Sequence, residues 1–335
     1  MRMTILEFAP CVDWICHFQR DAEEGYAVGD GEKFTIHSGA KLRPRVASIY
    51  AGGKATNVAR VIDRLLSDKD AVDIELMVFR PDSPEGNYLH ELQSQALKRV
   101  RLRPVIIAAQ ARLCMDLFDP TTPPDNRVAF NISPRAWWGG ASLERALDFA
   151  SQISTDLLLL AGNPPVLETT GELATDLYAK IIESVRPQVK TISLDTEKQS
   201  LLTCLQGAAK PDVIKINAKE YSWIDEKMWD DFDKTLMVTQ ETGCWVRENN
   251  QPALPLAGAK VDCLYSTVGA GDAVHAGFTL ARWVRGFDTL RAARFGQAVA
   301  AAVVNSVSGT RDIDIHLVEK FFIELENPVK RSDLE

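Results

Sequence analysis

The sequence predicts an α/β protein with a parallel-sheet core flanked by helices and a small β-sheet lid. Three observations carry that reading. After residue 140, apolar runs at 156–161 (DLLLLA), 191–194 (TISL), 212–216 (DVIKI) and 235–239 (TLMVT) alternate with helix-length segments. Continuous apolar strands between helices are the mark of a sheet covered on both faces. Earlier in the chain, two more polar stretches, about 14–50 and 104–132, are punctuated by glycine and proline and read as edge strands and turns. Finally, two glycine-rich segments lead straight into helices, a pattern that suits a ligand edge.

Each element follows in order. Residues 3–8 (MTILEF) form a β-branched and aromatic run, a good first strand. From residue 15 to 50, Gly25, Gly29, Gly31, Gly39 and Pro44 separate short alternating stretches such as Lys33-Phe34-Thr35-Ile36-His37. The second polar region is broken by Thr121-Thr122-Pro123-Pro124-Asp125-Asn126. In parallel sheets ligands bind beyond the carboxyl ends of the strands, so residues after each apolar run become site candidates. The last residues, KRSDLE, are expected to fray.

With 335 residues, 46% of them hydrophobic and 25% charged, the chain can bury a substantial core as one domain spanning 1–335. Its formal charge of −8 argues against nucleic acid or an anionic membrane as the main partner. No window approaches the roughly 20 apolar residues of a membrane span, and the first residues lack the apolar stretch of a secretion signal. The expected location is cytoplasmic. None of the six cysteines forms a CxxC pair, and most sit in apolar runs, which predicts buried reduced thiols.

The strongest chemical signal is Ser266-Thr267-Val268-Gly269-Ala270-Gly271-Asp272 ahead of an apolar helix. Glycines entering a helix expose backbone N–H groups and the positive end of its dipole, a cradle for phosphate oxygens. Asp272 in the first helical turn reads equally well as a cap. Residues 51–60 again place glycines before a helix; Gly52 and Gly53 permit close approach of a ligand, while Lys54 and Asn57 offer hydrogen bonds. The spacing is not that of a P-loop. Asn217 and Glu220, after DVIKI, form a capping arrangement and also place an amide and a carboxylate where water around Mg²⁺ could be oriented. His275 on its apolar helix and the Trp137-Trp138 pair read as packing residues, and Lys215 and Lys219 as solvated ones.

Together and in this order, these motifs resemble the ribokinase-like (PfkB) carbohydrate kinases, nearest the branch of 1-phosphofructokinase and tagatose-6-phosphate kinase. Ala9-Pro10-Cys11-Val12-Asp13, Gly52-Gly53-Lys54 with Asn57, Ala161-Gly162-Asn163-Pro164-Pro165, Asn217 with Glu220, Val238-Thr239-Gln240 with Gly243, and Gly269-Ala270-Gly271-Asp272 carry the resemblance. It implies a ribokinase-like fold and ATP-dependent phosphorylation of a sugar or sugar-phosphate hydroxyl, with Mg²⁺. Asp272 would be the catalytic base, with Gly269, Ala270 and Gly271 as the anion hole. Asp13, Gly52, Gly53, Lys54, Asn57, Arg112 and Asn163 would bind substrate, Arg112 close to its phosphate. Lys215, Thr239, Gly243, Thr267 and Asn305 would contact nucleotide, and Asn217 and Glu220 would reach the metal through water.

The chain departs from the family pattern at Ala55, Glu197, Gln240 and Ser266. Three readings therefore stay open: a kinase of a phosphohexose such as fructose 1-phosphate, fructose 6-phosphate or tagatose 6-phosphate; a kinase of an unphosphorylated sugar or nucleoside; or a catalytically weak sugar- or nucleotide-binding regulator. The resemblance also implies a homodimer formed through the lid.

Overall fold

The computed structural model describes residues 1–17, 46–118, 128–131, 136–306 and 308–327. Expectations for residues 18–45, 119–127 and the last eight positions lie outside the described residues, as does His37. The chain begins with β1 (Arg2–Glu7), β2 (Cys11–His17), β3 (Val46–Gly52) and α1 (Lys54–Leu65). There follow β4 (Asp73–Pro81), α2 (Pro84–Ala96), β5 (Arg101–Ile107), β6 (Ala109–Gln110), β7 (Arg112–Phe118), β8 (Val128–Asn131) and β9 (Trp137–Trp138). Next come α3 (Ser142–Ser151), β10 (Thr155–Ala161), β11 (Val166–Leu167), α4 (Leu177–Val185), β12 (Val189–Asp195), α5 (Lys198–Gln206) and β13 (Val213–Asn217). The rest comprises α6 (Ala218–Tyr221), α7 (Glu226–Asp230), β14 (Thr235–Gln240), β15 (Gly243–Arg247), β16 (Leu254–Ala257), α8 (Ala270–Thr279), α9 (Thr289–Val304) and α10 (Ile315–Glu326).

The main sheet has the order β16-β15-β14-β13-β12-β10-β1-β4-β5. Pairing is parallel from β5 through β14, and the last two strands join antiparallel. The apolar run of β10 shows why the sheet must be covered twice. Leu157 and Leu159 enter one core with α1, α8 and α9, while Leu158 and Leu160 enter the other with α3, α4 and α5. All four are fully buried. Side chains alternate across a strand, so four successive leucines need two apolar layers. Each buried leucine contributes roughly 1.5–3 kcal/mol.

The chain leaves β1 toward β4 and β5 on one side and returns through β10 to β12 and β13 on the other. Strand order reverses between β1 and β10, and crevices form at the carboxyl ends beside such a reversal. Glu7, Ala161, Asp195 and Asn217 end β1, β10, β12 and β13 there.

A second, four-stranded sheet has the order β3-β2-β7-β8. Residues 104–107, expected in the separate sheet, instead belong to β5 at the edge of the main one. That edge strand is exposed at Arg101 and Arg103, which explains its polar character in sequence. Trp137 and Trp138 form part of a third small sheet, β11-β9-β6; Trp138 is buried against Phe8 and Phe79 and belongs to the core. No helix among the described residues is long and apolar enough to cross a membrane.

Candidate active site

Helix α8 starts at Gly269, whose φ of 79° is left-handed. A Cβ at that position would lie 2.6 Å from Thr310 Cγ2, so both backbone and space require glycine. The first turn of a helix leaves N–H donors without intrahelical partners. The Ala270 N–H turns back to the Thr267 carbonyl at 3.2 Å and is thereby engaged, unlike the expectation that it would face an anion. Gly271 and Asp272 follow it in the first turn.

Asp272 makes no capping bond. Its Oδ2 instead accepts a hydrogen bond from Asn57 Nδ2 at 2.8 Å. Burial raises its carboxyl to about pH 6, and the negative Asp195 nearby adds to this. Lys54, Lys215 and the Asn57 bond pull the other way without prevailing. A buried carboxylate that titrates just below neutrality is well matched to accept a proton.

Asp195, at the end of β12, gathers the cations of the site. Its Oδ1 lies 2.9 Å from Lys54 Nζ and its Oδ2 lies 2.8 Å from Lys215 Nζ. Burial alone would raise this carboxyl, but Lys215, Lys54 and His275 outweigh it and hold Asp195 well below the ordinary carboxylate range. Lys215 is buried rather than solvated, and its Nζ lies 2.8 Å from where a Gly271 Cβ would stand, directly under the start of α8. His275 is packed as expected: it is fully buried, bonds Ser193 Oγ at 2.7 Å, and burial lowers its pKa to about 4. It is therefore neutral. Lys54 Nζ also reaches within 4.0 Å of Glu220 Oε1. Although burial works against its charge, Asp195, Glu220 and Asp272 keep the ammonium protonated well above the usual lysine range.

Asp13, Asn57 and Gly269 line one open cleft of about 650 Å³, together with Tyr50, Arg60 and Arg311. Arg311 stacks over the Tyr50 ring at 4.1 Å. Arg60 is buried, donates to Asn57 Oδ1 at 3.0 Å and also binds the Ala51 carbonyl. Gly52 packs on Asp13, for a Cβ there would stand 2.0 Å from Asp13 Oδ2. A second open cleft, about 720 Å³, is lined by Arg112, Asn163, Glu197 and Lys198 among others. Asn163 Nδ2 donates to Glu197 Oε1 at 2.8 Å. Arg112 and Lys54 thus serve different neighbourhoods: Arg112 faces the second cleft, whereas the Lys54 amine is committed to Asp195.

Asn217 and Glu220 form a reciprocal cap, the Asn217 Oδ1 accepting from the Glu220 N–H at 2.9 Å and Glu220 Oε2 from the Asn217 N–H at 2.8 Å. Glu220 Oε1 is left pointing toward Lys54, and burial raises the carboxyl. A carboxylate oxygen and an amide at a strand end are hard donors suited to hydrated Mg²⁺. Of the other expected nucleotide contacts, Thr239 and Gly243 stand beside Asn217 at the end of β14 and the start of β15. Thr239 Oγ1 bonds the Ile216 carbonyl at 3.2 Å, Gly243 opens β15, and Asn305 caps α9 while accepting from the Cys263 N–H at 3.1 Å.

The sequence pattern of the pfkB family carbohydrate kinases matches residues 26–315. The chain belongs to that family. Among solved structures, this pfkB kinase resembles phosphofructokinase-2 from Escherichia coli in complex with substrates and products. The two share 18% identity at a TM-score of 0.76, covering 98% of this chain and 100% of the other. A protein described as a possible 1-phosphofructokinase from Thermotoga maritima shares 16% identity at a TM-score of 0.72, over 96% and 98% of the two chains. A nucleoside kinase of the ribokinase family from Methanocaldococcus jannaschii shares 16% identity at 0.62, also over 96% and 98%. These likenesses establish a ribokinase-like fold for the pfkB kinase.

Several side chains of the site escaped the sequence reading: Asp195, Tyr50 and Arg60 among them, and also Glu7 and Arg311. Glu7 is buried at the end of β1, where its carboxylate accepts the Thr56 N–H at 2.8 Å and the Ala9 N–H at 3.2 Å. It ties the turn leading to Asp13 to the start of the helix carrying Lys54 and Asn57. Burial lifts its pKa to about 7 against those two donors. The only signal was an acidic residue inside an apolar strand. Arg311 follows Gly309 and Thr310 with no signature of its own, and reaches the first cleft only through the fold.

Proposed function

We propose that this pfkB kinase transfers the γ-phosphoryl group of ATP to a hydroxyl of a phosphorylated hexose, such as fructose 1-phosphate, fructose 6-phosphate or tagatose 6-phosphate. The observation that carries the reading is Asp272: a buried carboxylate titrating near pH 6, aimed by Asn57, in the first turn of a glycine-started helix beside a cleft that contains Asp13. In this reading Asp13 and Asn57 hold the sugar, and its hydroxyl oxygen attacks the γ-phosphorus. The bond to the β-phosphate oxygen breaks, ADP leaves, and the hydroxyl proton passes to Asp272. The N–H groups of Gly271 and Asp272 face the charge on the transferring group. Asn217 and Glu220 would hold Mg²⁺ through water, and the ion would neutralise phosphate charge.

Arg112 and Asn163, sharing the second cleft, support a substrate that is already phosphorylated, as do the phosphofructokinases among the structural relatives. We assign the four-stranded sheet β3-β2-β7-β8 the role of a lid that excludes water, and its exposed Trp14 the role of a homodimer contact. The expected location is the cytoplasm.

A second reading, a kinase of unphosphorylated sugars or nucleosides, draws on the commitment of Lys54 to Asp195, which leaves the second cleft with fewer cations for a substrate phosphate. An ATP-coupled assay over a panel of free sugars, nucleosides and hexose phosphates separates the two. Turnover confined to hexose phosphates is the expected result; turnover of free sugars or nucleosides alone would overturn the first reading.

A further inference from the structure

Strands β2 and β7 run parallel, with Cys11 opposite Arg112 and Asp13 opposite Cys114. Residues two apart on a strand share a face, so Cys11 and Asp13 meet Cys114 on one side of the sheet. Their ligand atoms, two sulfurs and a carboxylate oxygen, all lie within 4.8 Å of one another. Cys11 Sγ donates to Asp13 Oδ1 at 3.1 Å. Gly52, opposite Cys11 on β3, keeps the space open: a Cβ there would stand 2.6 Å from Cys11 Sγ as well as against Asp13.

We infer that Cys11, Cys114 and Asp13 form a three-ligand site for a soft divalent cation of the Zn²⁺ type. Around tetrahedral zinc, with zinc–sulfur bonds of about 2.3 Å, neighbouring ligand atoms stand about 3.5–3.8 Å apart. To reach that shape no pair of ligand atoms closes by more than about an ångström, and Cys11 Sγ and Asp13 Oδ1, now 3.1 Å apart, draw slightly apart. Asp13 lines the open first cleft, so the fourth position faces solvent and takes water. Binding releases both thiol protons to solvent. The three negative ligand charges are then matched by the divalent ion and the Arg112 guanidinium, whose Nη2 lies 3.8 Å from Cys114 Sγ. Thiolates select against Mg²⁺, so the ion that accompanies a nucleotide does not fill this site. The consequence for activity rests on the proposed role of Asp13: a metal that takes its carboxylate removes it from the sugar, and zinc inhibits by competing with sugar.

The test uses the full chain, reduced, with Cd²⁺ as the probe, in a Cys263→Ser background that removes the exposed thiol. Sulfur-to-cadmium charge-transfer absorption is expected to saturate at one ion per chain. Cys11→Ser and Cys114→Ser should each weaken binding by roughly a hundredfold or more. Asp13→Asn should weaken binding while keeping the thiolate band, and it serves if a serine variant folds poorly by circular dichroism. Cadmium affinity unchanged in all three variants would overturn the site. In the kinase assay, Zn²⁺ should raise KM for the sugar substrate, leave KM for ATP unaltered, and be reversed by a chelator. Cadmium bound through both cysteines with sugar affinity undisturbed would leave the metal site standing and overturn Asp13 as a sugar contact.

Discussion

The side-chain amide of Asn57 donates to the Asp272 carboxylate at 2.8 Å, joining residues 215 positions apart. The bond occupies one carboxylate oxygen, which sets the orientation of the other. The carboxylate is thereby engaged across the fold rather than as a cap of its own helix.

Replacing Asp272 with Asn keeps the shape and removes the proton acceptor of the proposed mechanism. We expect kcat to fall roughly 10²–10⁴-fold with the fold and nucleotide affinity retained. Steady-state kinetics and nucleotide titration of the purified variant check this; turnover near that of the parent would remove Asp272 from the role of base.

The same carboxyl sets a pH dependence. Only its ionised form accepts a proton, so kcat/KM should rise tenfold per pH unit on the acid side and level off above about pH 6. Stability runs the opposite way. The folded state holds this proton more tightly than the unfolded chain, so the contribution is fully present below about pH 4 and lost as pH rises through 6. The shift of about two units corresponds to something on the order of 3 kcal/mol. Asp272→Asn should therefore melt at a higher temperature than the parent at pH 8, and the difference should shrink at pH 4. Melting curves at both pH values decide it.

Asp195 bridges two lysines from a fully buried position, one on each carboxylate oxygen. Asp195→Asn keeps the side chain's size but strands the buried Lys215 ammonium. Breaking one partner out of a buried ion pair costs roughly 3–5 kcal/mol. Urea denaturation should show a loss of that size; a loss below about 1 kcal/mol would mean that Lys215 is compensated elsewhere.

If Arg112 binds the substrate phosphate, Arg112→Ala should raise KM for the hexose phosphate roughly tenfold to a hundredfold, the equivalent of about 1.5–3 kcal/mol for a charge-assisted bond. KM for ATP should be unaffected. Equal effects on both substrates would place Arg112 outside the phosphate contact.

The sheet and the capped edges of the site were legible because their signals are local. The four leucines of β10 announce a strand covered on both faces, and Asn217 and Glu220 announce their reciprocal cap by spacing alone. What the sequence left unread is pairing at a distance. Lys54 and Asp195 are 141 positions apart, and nothing in either neighbourhood names the other. Lys215, a lysine in a strand beside a turn, reads as solvated until β12 places Asp195 against it. Glu7 was hidden for the same reason: its partners are backbone N–H groups of a turn and a helix start that only the fold brings together.

Lys54 and Asn57 stand one turn apart at the beginning of α1, and that helix starts where β3 ends at Gly52. The first reaches toward Asp195 and the second holds Asp272. Gly52, which packs on Asp13, is thus two residues from the turn that sets the ammonium at one end and the carboxylate at the other. Any displacement of this one helical turn would carry the Lys54 ammonium and the Asn57 amide together, away from Asp195 on one strand and Asp272 on another helix.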